Sequence, residues 1–128
     1  MAPNRSHTPW LLAAFFVGTG TTHFLFPDAF AAAVPPSLPH RTSLGLLGGA
    51  AELAGGLGLL LPATRPAARL GLVALMLAVW PANISMALRP QDFPAIPLWA
   101  LWLRVPLQLP LLSWVWRGGQ RPASSRQP

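Results

Sequence analysis

Apolar positions in this chain fall into four long blocks, residues 10–26, 43–61, 67–88 and 96–116, each broken by few polar side chains. About 20 mostly apolar residues let a helix cross the hydrocarbon core of a bilayer, so each block reads as one span. The separators are rich in breakers: PDAFAAAVPPSLPHR after the first block, PATRP after the second and RPQDFPAIP after the third. Proline lacks the backbone donor a helix interior needs. The pattern predicts an all-α fold, a four-transmembrane-helix bundle over residues 1–117, followed by a polar Gly/Pro/Ser-rich tail, 118–128, expected to be disordered. A secretory signal peptide is the rival reading of the first block, but no small-residue cleavage site follows it and His23 lies inside it. The first separator is long and still apolar. Residues 29–34 are therefore expected either to lie along the membrane interface or to re-enter between the helices.

Composition strengthens the membrane reading. Of 128 residues, 52% are hydrophobic and 9% charged, against roughly a quarter charged in soluble proteins, which leaves too little polar surface for a water-soluble fold. The net charge of +6 comes from arginine alone. Those arginines are scattered at the ends of apolar runs, which argues against nucleic acid as a partner and for the lipid bilayer. Zero cysteines exclude disulfides and thiol chemistry in this chain. Positive residues near span ends are retained in the cytoplasm. Arg5, Arg65, Arg69, Arg117, Arg121 and Arg126 fall on one side, Arg41 and Arg89 with Asp28 and Asp92 on the other, so both termini are expected to be cytoplasmic. Trp10, Trp99, Trp114 and Trp116 sit near span ends, where indole rings favour the headgroup region.

Within the second block one residue stands apart, Glu52 in LGLLGGAAELAGGLGLLLP. At a helical repeat Gly45, Gly48, Gly49, Glu52, Gly55 and Gly56 share one face and the leucines the other. Small residues let helices approach closely, so Glu52 is expected to point into the bundle. An ionised carboxylate at mid-membrane depth costs at least ~2.5 kcal/mol and calls for a partner. Arg104 is the basic residue well inside a span, and Gln108 follows one turn later. Counted inward from the non-cytoplasmic ends, His23, Asn83, Arg104, Glu52 and Gln108 lie about one to three turns deep. Five polar side chains, at least one per span, thus share one half of the membrane.

Two readings follow. In one, the cluster is a structural clasp, Glu52 with Arg104 plus hydrogen bonds from the others, that sets helix register. In the other it lines a ligand pocket open to the outer face, for a small polar molecule or a non-covalently bound quinone head group, or moves protons. Pro81 would kink the third span beside Asn83, and Pro106 and Pro110 the fourth around Gln108. No metal site is expected, because His7 and His40 lie outside the spans on opposite sides and carboxylates are few. No catalytic residue is assigned.

Several pieces also run in the order found in the DoxX-like family of small four-helix membrane proteins. They are Gly20 with His23-Phe24, Pro27 and Phe30; Val34-Pro35 and Leu38-Pro39; Gly49, Glu52 and Gly55-Gly56 with Leu59-Leu60; Pro81-Ala82-Asn83-Ile84; and Trp102, Arg104, Pro106 and Gln108. The chain resembles that family over nearly its whole length. The resemblance implies a bacterial cytoplasmic (inner) membrane location and a membrane component of a redox-associated system, acting in a membrane redox complex or as a homo-oligomer. A non-catalytic assembly or scaffold protein is the alternative.

Overall fold

A computed structural model of the protein describes residues 7–118. Over these residues the chain is all-α, with five helices and no strand: α1 (Thr8–Leu25), α2 (Pro27–Ala33), α3 (Arg41–Gly58), α4 (Arg65–Leu88) and α5 (Leu98–Gly118), with one 3-10 turn at Pro90–Asp92. Apart from Gly118, the tail expected to be disordered lies outside the described residues, as do Arg5, Arg121 and Arg126. Two helices, α4 and α5, are long and apolar enough to cross a membrane. A third span exists if α1 and α2, bent by 101° at their junction, are taken as one. The long helix α3 falls short by composition, since glycines occupy positions where a lipid-facing helix would carry large apolar side chains.

Prolines set the helix ends. Phe26 (φ −130°, ψ 61°) and Arg89 (φ −125°, ψ 56°) precede Pro27 and Pro90, whose rings disfavour helical geometry in the residue before them. Each proline then opens the next element, where its missing N–H is not needed. Inside α4 and α5, by contrast, Pro81, Pro106 and Pro110 are accommodated without interrupting the helix.

The first separator folds as α2, which packs on α3. A tether explains its position. Arg41 donates from Nε and Nη2 to the Val34 carbonyl at 3.1 and 2.7 Å, and from Nη2 to the Ala32 carbonyl at 3.0 Å. These bonds satisfy the free carbonyls at the C-terminal end of α2, where positive charge is favourable. The preceding residue, His40, takes the left-handed conformation (φ 56°, ψ 45°), at a cost of roughly 1–2 kcal/mol.

The four long helices form a ring. α1 packs most extensively on α3, α3 also packs on α4, α4 on α5, and a smaller α5–α1 contact closes it. Neighbours run antiparallel: Gly20 meets Gly49 while Ala13 meets Gly56, Leu72 meets Gly55 while Ala68 meets Gly58, and Arg69 reaches Trp116 while Gln108 reaches Met76. One buried cluster, Leu12, Phe16, Leu59, Leu72, Met76 and Val115, fills one end. A second, Met86, Ala87, Phe93 and Leu101, lies toward the other, against Ala32 and Ala33 of α2. Large apolar side chains also cover the outside, Trp10 and Trp99 being 65% and 70% exposed, the surface expected of helices that face lipid.

Candidate functional site

α1 and α3 approach each other backbone to backbone. A Cβ added at Gly49 would lie 2.5 Å from Cβ of His23 and 3.0 Å from the Gly20 carbonyl oxygen, so glycine is required there for the two backbones to touch. This closeness carries His23 across to α3. Its Nδ1 is 2.7 Å from the Gly45 carbonyl oxygen. A carbonyl only accepts, so Nδ1 carries a hydrogen and the second nitrogen, Nε2, is left for other chemistry. That nitrogen lies 3.5 Å from Oε2 of Glu52.

Two further groups complete the site. Thr19, one turn before His23, lies beside the Glu52 carboxylate, its hydroxyl donating to the Phe16 carbonyl at 3.3 Å. Phe30 of α2 stacks on the imidazole, with ring centroids 3.7 Å apart and planes inclined by 24°. The side chains of His23 and Glu52 are 13% and 18% exposed, and Oε2 of Glu52 is buried without a hydrogen-bond donor. An acid and a base thus face each other across an apolar interface, one ring nitrogen fixed by the backbone and one carboxylate oxygen unsatisfied. Such a pair can exchange a proton or bind a small molecule that offers a donor.

The expected pairing of Glu52 with Arg104 is not formed. Among the described residues Glu52 has His23 as its ion-pair partner, while Arg104, largely exposed on α5, directs Nη1 to Sδ of Met86 at 3.8 Å. The ring order is the reason, since α3 and α5 occupy opposite corners. Gln108 likewise stays with its neighbour and donates from Nε2 to the Met76 carbonyl at 3.1 Å. Asn83 is 7% exposed, and its side chain makes no hydrogen bond among the described residues. His23 and Glu52 meet between α1 and α3, Asn83 is buried on α4, and Arg104 and Gln108 join α5 to α4.

Sequence reasoning missed Thr19, Phe30 and the Gly45 carbonyl. Thr19 was legible as the residue one turn from His23; Phe30 was not, because only the sharp turn into α2 brings it back over the ring. The remaining arginines serve helix ends. Arg65 donates from Nε to the Leu59 carbonyl at 2.7 Å. Arg69 donates to the Trp116 carbonyl at 3.2 Å and lies 4.3 Å from that residue's ring centroid. Arg89 pairs with Asp92 at 2.7 Å.

With this geometry in hand, comparison with known families gives one match: the model described as a domain of unknown function, DUF8561, covers residues 12–118. The chain belongs to that family. This overturns the DoxX-like resemblance. Its ordered glycines, prolines and single polar residues are what closely packed transmembrane helices use in general, so agreement in order did not carry common descent. No curated protein and no solved structure matches the chain.

Proposed function

We propose that this protein is an integral membrane protein of the bacterial cytoplasmic membrane, its four long helices crossing the bilayer with both termini in the cytoplasm. In it, His23, Glu52 and Thr19 form an intramembrane site for a small polar ligand. The observation that carries this reading is the contact between His23 and Glu52 at the glycine-lined α1–α3 interface, with a buried carboxylate oxygen lacking a donor. Helices of 18–24 residues extend ~27–36 Å, α4 and α5 exceeding a ~30 Å hydrocarbon core and α1 and α3 falling about two residues short of it. α1 and α3 carry Gly20, His23, Gly49 and Glu52 where they face each other. Arg65 and Arg69 in the first turns of α4 and Arg117 in the last turn of α5, all on the side assigned to the cytoplasm, fit the positive-inside pattern.

A quinone head group is one ligand of suitable chemistry, since its oxygens would accept from the Thr19 hydroxyl or a protonated His23. The redox role that came with the DoxX-like resemblance lost its support with it. The scaffold reading is favoured at α4–α5, where Gln108 and Trp80 donate to backbone carbonyls of the neighbouring helix and act as a clasp. Identifying the small molecules that stay with the protein purified in mild detergent tests the proposal. A ligand near one per chain is expected in the wild type and absent from Glu52→Gln, which still accumulates in membranes. If both proteins carry the same molecules, or none, the α1–α3 pair is a clasp as well.

A further inference from the structure

Two lone pairs face each other at the α1–α3 interface unless a proton lies between them. Because Nδ1 of His23 donates to the Gly45 carbonyl, a neutral imidazole offers Nε2 as an acceptor only. An ionised Glu52 offers Oε2 as an acceptor only, and the two atoms are 3.5 Å apart. Among the described residues no hydrogen-bond donor reaches Oε2. A buried acceptor pair with nothing to share is strongly unfavourable in an apolar interior.

From this geometry we infer that His23 and Glu52 together hold one proton at neutral pH, making the pair a single-proton exchange site inside the bundle. The inference deepens the reading of the same site but rests on the ligand-free geometry. The proton has two positions: on Oε2, beside a neutral imidazole, or on Nε2, giving an imidazolium beside a carboxylate. Passing between them breaks one O–H bond and forms one N–H bond, with no change in total charge. The Gly45 carbonyl keeps the first ring proton out of the exchange, so what the site takes up or releases passes through Nε2 and Oε2. The ligand class it suits is a protic one, a hydroxyl or amine able to give or receive that proton.

Among the described residues no other charge competes for the pair. On α2, Asp28 is exposed. Arg41, at the start of α3, is held by the carbonyls of Ala32 and Val34. On α4 and at the turn after it, Arg89 is paired with Asp92, and on α5 Arg104 lies against Met86. Phe30 covers the imidazole from the remaining side.

Glu52 is the one glutamate in the chain, and the histidines are His7, His23 and His40. Labelled glutamate therefore reports Glu52 alone, and labelled histidine in a His7→Gln/His40→Gln background reports His23 alone. The experiment is infrared and nitrogen-15 NMR spectroscopy of ligand-free protein in lipid at about pH 7.5, where a free imidazole and a free carboxylate would both be deprotonated. The expected result is one proton, either a protonated carboxyl with a neutral imidazole or a carboxylate with a doubly protonated one, and in Glu52→Gln a neutral His23 with its hydrogen on Nδ1. A wild-type carboxylate beside a neutral imidazole would overturn the inference. So would a protonated carboxyl beside an imidazolium. The wild-type spectra decide even if Glu52→Gln does not fold. Failure to find a bound ligand leaves this count unaffected, so the two ideas fail separately.

Discussion

The α1–α3 and α4–α5 pairs are both antiparallel and largely apolar, yet they are joined differently. α1 and α3 meet backbone to backbone, with Gly20 and Gly49 in contact and Gly56 against Ala13 and Phe16. α4 and α5 meet through long side chains, Trp80 reaching the Val105 carbonyl at 2.9 Å and Gln108 the Met76 carbonyl. Where backbones touch, a side chain from one helix spans the interface and meets a side chain of the other, as His23 meets Glu52. Where bulky side chains hold the axes apart, a polar group reaches no further than its neighbour's backbone. Close packing therefore turns isolated polar residues into a site, and looser packing turns similar residues into a clasp.

The comparison can be broken most severely at Gly49. Gly49→Val places atoms inside His23 and against the Gly20 carbonyl, and overpacking against backbone costs more than the usual 1–3 kcal/mol. Loss of folded protein from membranes is expected; normal accumulation with intact thermal stability in detergent would show that α1 and α3 do not touch. Next comes Arg41→Gln, which removes three hydrogen bonds to the end of α2. Lost charged hydrogen bonds are worth ~1.5–3 kcal/mol, and hydrogen exchange should rise over residues 27–39 while α4 and α5 stay protected. Unchanged exchange there would mean that α2 is held by its own packing.

Smaller effects separate the clasp from the site. Gln108→Leu should lower stability by about 0.6–1.7 kcal/mol, the range for polar contacts between membrane helices, and leave ligand retention at wild-type level. Ligand loss in that variant would extend the site to α5. The mildest change is Gly71→Ala, where nothing lies within 4 Å of the added methyl. Here the gain in helix propensity, ~0.5–1 kcal/mol, should raise the unfolding midpoint slightly. A destabilised Gly71→Ala would reveal a contact on the exposed face of α4.

Much of the helical layout was legible in the residues. Apolar blocks and proline-rich separators located the long helices, and the glycine spacing around Glu52 marked the packed face of α3, whose Gly45, Gly49 and Gly56 are buried. Counting turns assigned His23, Asn83, Glu52, Arg104 and Gln108 depths of about one to three turns, because depth follows from rise per residue and the positions of the helix ends. Azimuth does not follow in that way. Which helix stands beside which depends on the ring order, and Arg104 was assigned to Glu52 by charge alone.

Sequence by itself thus determined an all-helical, lipid-compatible chain with an acid on a glycine face and a histidine at similar depth, since periodicity and hydropathy are local properties. Only the tertiary structure decided that Glu52 faces His23 and that Phe30 returns over the ring. It also decided that Arg41 holds α2 in place. Those contacts join residues 7 to 29 positions apart or fold a short helix back on its neighbours, and they depend on helix order and on the 101° turn between α1 and α2, neither of which any local pattern encodes.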